Sequence, residues 1–191
     1  MIIVFGGAFN PPTIAHKEIY HHVVKHLPCK KFIFLPVSNL YTKRSLASDH
    51  HRHKMLELMT EDLSNVRIST MEFDDSDYLG TYQSLIRIQE SHPSEEVVFV
   101  IGADNLAKLD KWINAEALLN DFRFIVINRN HMDIEKAIKD HPMLTNHIDS
   151  FIILPDFDIK ISSTSFRENF DKALVCDKVY DYIQTHQLYR G

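Results

Sequence analysis

Six apolar, β-rich runs recur along the chain: 2–5 IIVF, 32–36 FIFLP, 66–70 VRIST, 97–101 VVFVI, 122–127 FRFIVI and 151–154 FIIL. Between most of them the apolar positions change to helical spacing. Ile19, Val23, Val24 and Leu27 form one stripe. Met55, Leu56, Leu58, Met59 and Leu63 form a second within 50–63, and Leu85, Ile86 and Ile88 a third within 81–91. Leu106, Leu109, Trp112, Ile113, Leu118 and Leu119 predict two short helices, and DKVYDYIQTHQLY at 177–189 is amphipathic. Near-continuous apolar strands alternating with helices predict a mostly parallel sheet covered on both faces, a doubly wound α/β fold with a small C-terminal helical portion. Residues 130–150 are the least patterned and read as a mobile surface segment. No internal repeat, low-complexity tract or linker interrupts the chain, so 1–191 is read as a single domain.

Composition narrows the function classes. The chain is 45% hydrophobic and 25% charged, an ordinary globular balance, and its net charge of -5 argues against a broad nucleic-acid footprint. Cys29 and Cys176 form neither a zinc pattern nor a disulfide framework, which suggests a reducing compartment. The opening MIIVFGG lacks a basic region and is too short an apolar run for a signal peptide or a membrane span. The expected location is the cytoplasm, with no membrane partner. Twelve histidines invite a metal reading, and His50, His51 and His53 cluster. None has HExxH-type spacing, so no metal site is assigned and solvated histidines are expected.

In a doubly wound sheet, ligands bind beyond the carboxyl ends of the strands, so polar residues just after strands are the candidates. After the first run comes GGAFNPPTIAH, 6–16. Gly6 and Gly7 permit a sharp turn and close backbone approach, Asn10 can bond backbone or ligand oxygens, and Pro11 and Pro12 suit a helix start. Thr13 and His16 are three apart and share a face of the first turn, where free N–H groups favour an anion. The stretch reads either as a phosphate site or as a turn with a helix cap. After the sixth run, ISSTSFR at 161–167 offers hydroxyls, with Arg167 able to grip phosphate bidentately; a capped helix with a surface arginine is the alternative. In IGADNLAKLDKW, 101–112, Gly102 allows close approach and Asp104 would accept from ribose hydroxyls or cap a helix. Trp112 is either core or a platform for a ring. Lys43 and Arg44, in LPVSNLYTKR, read alone as solvated charge.

Together these stretches resemble the nucleotidyltransferase superfamily marked by (H/T)xGH and ISSTxxR, and within it the nicotinate mononucleotide adenylyltransferases. The resemblance runs nearly end to end. It includes GGxFNPP–TxAH at 6–16, the LP…K loop at 35–43, Arg52 and Met55, Thr81, FVIGADNLxxLxKW at 99–112, VINR at 126–129, ISSTxFR at 161–167 and YI…LY at 182–189. Thr13 stands where the first histidine of HxGH falls, Ala15 replaces the following glycine, and Phe166 replaces an isoleucine. Leu40, Tyr41, Thr42 and Lys43 replace PPHK.

The resemblance implies a Rossmann-like fold and transfer of AMP from ATP to nicotinate mononucleotide, giving deamido-NAD and pyrophosphate. Such chemistry needs alignment and charge neutralisation rather than a nucleophilic side chain. His16 would stabilise the α-phosphate and Thr13 would add one neutral hydrogen bond. Lys43 and Arg167 would hold the triphosphate, helped by Ser162 and Ser163. Gly6, Gly7, Phe9 and Asn10 fall in the ATP-binding stretch, Gly102 and Asp104 would meet the ribose, and Ile161 would lie near adenine. Trp112 would stack on the pyridine ring, with Thr81, Lys43 and Arg129 on the mononucleotide side. Mg2+ would accompany ATP, held by phosphates and water. The ring carboxylate calls for positive dipoles or amide donors and no acidic side chain. The alternatives are a nicotinamide mononucleotide or phosphopantetheine acceptor, a degenerate nucleotide-binding regulator, or a histidine-dependent metal hydrolase. A homo-oligomer stays open.

Overall fold

The computed structural model describes residues 1–41, 46–128, 132–154, 157 and 159–190. All six predicted runs form strands: β1 (Ile2–Gly7), β2 (Lys31–Pro36), β3 (Val66–Ile68), β4 (Val97–Gly102), β5 (Arg123–Ile127) and β6 (Phe151–Ile153). They make one parallel sheet in the order β3-β2-β1-β4-β5-β6. Ile2 aligns with Lys31 on one side and Val97 on the other. The chain winds outward from β1 to β3, then returns to β1's other side and winds away through β4 to β6. That reversal opens a crevice beyond the carboxyl ends of β1 and β4.

Strand side chains alternate between two cores, as a period of two requires. Ile2, Val4, Ile33, Leu35 and Phe99 face one side. That side is covered by α3 (Thr81–Ser91), α4 (Ala103–Leu106), α5 (Ala115–Asp121), α6 (Ile134–Lys139) and α7 (Pro142–Thr145). Ile3, Phe5, Phe32 and Phe34 face the other, covered by α1 (Ile14–His26), α2 (Asp49–Thr60), α8 (Ser163–Asn169) and α9 (Asp177–Thr185). Both faces of the inner strands are dry, which is why those strands read as unbroken apolar runs. β3 is shorter than the run 66–70 predicts; it is an edge strand and only partly buried. No described helix is long and apolar enough to cross a membrane.

Residues 132–150 differ from expectation. Instead of an unpatterned surface segment, they hold α6, α7 and a 3-10 turn at Ile148–Ser150. Ile134 and Ile138, one helical turn apart, are buried with Leu144 in the first core. Asp133 caps α6 by accepting from the Lys136 N–H at 2.9 Å, and the Thr145 hydroxyl donates to the Ile138 carbonyl at 2.9 Å. Two apolar positions per short helix are too few for periodicity to reveal. The C-terminal amphipathic run also ends early. α9 stops at Thr185, and Gln187 and Tyr189 take left-handed backbone angles that bring Leu188 and Tyr189 back onto the second core.

Gly80 precedes α3 with φ of 88°, and a Cβ there would stand 2.8 Å from the Ile113 Cβ. Gly80→Ala is expected to lower stability by about 1–3 kcal/mol, read from urea unfolding. An unchanged midpoint would contradict it.

Candidate active site

Two adjoining cavities, of about 210 and 200 Å3, lie in the crevice at the switch point. They share Gly6, Gly7, Ala8, Phe99, Asn105 and Trp112 as walls. His16, Phe9, Gly102 and Ser163 belong to the first cavity alone, and Leu35, Val37, Glu72 and Thr81 to the second. Gly6 has a packing reason to be glycine: a Cβ there would stand 2.9 Å from the ring of Phe99, which lines both spaces. A wider depression between α2 and β3 is lined by Lys54, Glu57, Glu61 and Arg67. It lies at the edge strand β3, with none of the residues of β1 or β4 on its wall, and its charges are partly paired, Lys54 to Glu57 and Lys178 to Glu61.

His16 sits in the first turn of α1. Its Nδ1 accepts the Thr13 backbone N–H at 2.8 Å and lies 2.9 Å from the Thr13 hydroxyl. An Nδ1 that accepts leaves Nε2 as the protonated nitrogen, so the ring is set as a donor. Phe9 and Phe5 hold the ring at centroid distances of 5.0 and 5.8 Å. Thr13 itself is 1% exposed and faces His16, so its hydroxyl orients the imidazole.

The turn between β1 and α1 is clamped from three directions. From α8, the Ser163 hydroxyl donates to the Pro11 carbonyl at 2.7 Å and Arg167 donates to the Asn10 carbonyl. From the C-terminus, the Tyr189 hydroxyl donates to Asn10 Oδ1 at 2.9 Å, an oxygen that also accepts the Ala47 N–H at 3.0 Å. Burial raises the Tyr189 phenol pKa far above its usual value, which keeps it a donor. From α2, Arg52 is fully buried; it donates to the Ala8 and Ala47 carbonyls at 2.9 and 3.0 Å and to Asn39 Oδ1 at 3.1 Å. Burial pulls its pKa down, and the bonded Asp49 opposes that.

The remaining predicted residues are distributed unevenly. Trp112 is half-buried, edge-on to Phe99 at 6.2 Å, and lines both cavities. Asn10 is 3% exposed and is engaged in the turn. Ser162 caps α8, accepting the Ser165 N–H at 3.0 Å, and neither it nor Ile161 lines either cavity. Asp104 is exposed outside both, while its neighbour Asn105 lines both. Lys43 and Arg129 lie outside the described residues. Glu72 stands on the second cavity's wall, where no acidic group is expected from the resemblance. Among the described residues no cluster of His, Cys, Asp or Glu is placed to hold a metal ion. His51 instead bonds the Tyr182 hydroxyl at 2.9 Å, and burial followed by repulsion from His186 and His50 lowers its pKa.

Comparison with known proteins gives this crevice a context. A cytidylyltransferase-like family model matches residues 4–169. The chain belongs to the cytidylyltransferase-like nucleotidyltransferase family. It is 33% identical to a probable nicotinate-nucleotide adenylyltransferase of Acholeplasma laidlawii, over 99% of this chain and 97% of that one. It is 30% identical to a protein of the same name from Clostridium acetobutylicum, over 97% of each. The Plasmodium falciparum nicotinic acid mononucleotide adenylyltransferase, solved in complex with NaAD, superposes with a TM-score of 0.76. That match has 25% identity and covers 98% of this chain and 96% of that one.

Within this family fold, Glu72 is passed over by sequence reasoning, and Asn105 and Tyr189 fall in quoted motifs without being given a role. Asn105 is one residue from the chosen Asp104, and a four-residue helix has too little periodicity to tell the two faces apart. Arg52 carries a readable signal. It lies three and four residues before Met55 and Leu56, on the apolar stripe of α2, where a charge must have buried partners. Arg52→Met, which leaves the Ala8 and Ala47 carbonyls and Asp49 without their donor, is expected to cost about 3–5 kcal/mol in urea unfolding. A loss below about 1 kcal/mol would show the cation to be dispensable.

Proposed function

We propose that the chain is an ATP-dependent nicotinate-nucleotide adenylyltransferase of NAD biosynthesis, joining AMP to nicotinate mononucleotide with release of pyrophosphate. The observation that carries this reading is the pair of adjoining cavities at the switch point, with a donor imidazole on one and an indole shared by both. Family membership and the names of the relatives support it.

In this reading ATP takes the first cavity and the mononucleotide the second. A phosphate oxygen of the mononucleotide attacks the α-phosphorus of ATP in line, and the bond to pyrophosphate breaks. Positioning and charge neutralisation supply the catalysis. His16 donates from Nε2 to the α-phosphate as negative charge builds, its ring held by Thr13 and the two phenylalanines so that little reorganisation is needed. Lys43 and Arg167 supply cationic charge to the triphosphate, while Ser163, its hydroxyl proton given to the Pro11 carbonyl, forms part of the first cavity's wall. Gly102 lets the adenosine approach β4 closely, and Asn105 takes the polar contacts expected of Asp104. Trp112 stacks on the pyridine ring beside Thr81. Mg2+ enters with ATP, bound by phosphate oxygens and water.

The deciding experiment measures pyrophosphate release with ATP, Mg2+ and a panel of acceptors: nicotinate mononucleotide, nicotinamide mononucleotide and phosphopantetheine. Turnover with nicotinate mononucleotide is expected. Turnover with phosphopantetheine alone, or hydrolysis without any acceptor, would overturn the assignment. His16→Ala is expected to lose about 10²-fold or more in kcat, the usual effect of removing one transition-state donor. An unchanged kcat would remove His16 from the chemistry. Trp112→Ala is expected to raise KM for the mononucleotide several-fold more than KM for ATP. Equal increases would make it a core residue only.

A further inference from the structure

After α9 the chain turns back on itself at residues that are not glycine. The Leu188 N–H donates to the Ile183 carbonyl at 3.0 Å, closing a turn in which Gln187 holds φ of 51°. Two residues on, Tyr189 takes φ of 64°. Left-handed angles at residues with side chains are costly and persist only where other contacts hold them. Leu188 packs on the second core, which accounts for the turn. It does not account for the Tyr189 hydroxyl. The Tyr189 ring meets the Phe166 ring edge-on at 6.5 Å, a contact that a phenylalanine would make equally well. The hydroxyl instead donates to Asn10 Oδ1 at 2.9 Å, in the turn between β1 and α1.

We infer that Tyr189 is a positioning residue of the transfer reaction, its hydroxyl fixing Asn10 so that the turn presents His16 where the α-phosphate needs it. The inference rests on the adenylyltransferase reading above and deepens it, adding a residue that lines neither cavity. Asn10 Oδ1 also accepts the Ala47 N–H at 3.0 Å, so loss of the phenol hydroxyl would not orphan it. One bond leaves the Asn10 amide free to swing about it. Two bonds from different elements set both its place and its plane. The stretch that follows is short and tightly held. Arg167 donates to the Asn10 carbonyl, Ser163 to the Pro11 carbonyl, and the Thr13 N–H to the imidazole. Asn10 and Thr13 are 3% and 1% exposed, so a shift at the first has no slack in which to dissipate before it reaches His16. In a reaction whose barrier falls through alignment, such a shift lowers the rate.

The charges around the phenol fit this role. Burial is the main influence and raises its pKa; Arg167 and then Arg52 act in the opposite sense. The hydroxyl keeps its proton and stays a donor. The same two arginines grip the Asn10 and Ala8 carbonyls, so the tail, α8 and α2 converge on one part of the turn.

The test uses Tyr189→Phe in the full chain, which keeps the ring and removes one hydrogen bond. Pyrophosphate release is followed with ATP, Mg2+ and the acceptor that the native chain uses. The expected fall in kcat is about tenfold. That lies between the roughly fivefold worth of one neutral hydrogen bond and the roughly hundredfold loss that a misplacement of about 1 Å brings. KM for ATP and for the acceptor should stay within about twofold, and the urea midpoint should stay close to the native one. A merely structural role would move the midpoint and leave kcat per folded molecule unchanged. Asn10→Ala, which removes the acceptor, should lower kcat at least as far, and adding Tyr189→Phe to it should lower kcat no further. An unchanged kcat in Asn10→Ala overturns the inference even where Tyr189→Phe does not fold. So does an unchanged kcat in Tyr189→Phe, a rise in KM in place of the fall in kcat, or a further fall in the double variant; each leaves the adenylyltransferase reading standing. No pyrophosphate from the native chain with any acceptor overturns both.

Discussion

A cation with no access to solvent holds the candidate site together. Arg52 is fully buried, yet it bonds the Ala8 and Ala47 carbonyls, Asn39 and Asp49. Taking a guanidinium out of water is expensive, and the cost is offset only when its forked donors are met. Here they are met by the two loops that leave β1 and β2. The same bonds that make the ion tolerable therefore set the turn carrying Gly6 to His16 against the segment before α2. A hydrophobic residue at 52 could pack α2 on the sheet. It could not fix the height of a backbone carbonyl two residues before Asn10.

With that turn in place, the other contacts have a fixed object to grip. Arg167, Ser163 and Tyr189 reach it from elements far apart in sequence. All three act on Asn10 or Pro11, so the loop is restrained at its middle, while its glycines and His16 border the open space. The arrangement changes the meaning of two predicted residues. Asn10 is buried scaffolding whose carbonyl and side-chain oxygens are both occupied. The Thr13 hydroxyl faces the imidazole, so the histidine is oriented by its own helix start and by two aromatic rings. Placing a donor with such local means suits a reaction whose barrier falls mainly through alignment.

What can be read in the sequence follows the physics of each element. Six strands are visible because a parallel sheet buried on both faces demands an apolar side chain at nearly every strand position. The placement of the site is visible for a topological reason, since reversal of winding at β1 and β4 leaves a crevice at their ends. Residues 132–150 are not visible, because α6 and α7 bury Ile134, Ile138 and Leu144 among charged neighbours and form no stripe. Glu72 is not visible either. Nothing local separates it from Asp74, Asp75 and Asp77 nearby; it is distinguished by Ser84 and a cavity wall, contacts that close only when α3 packs.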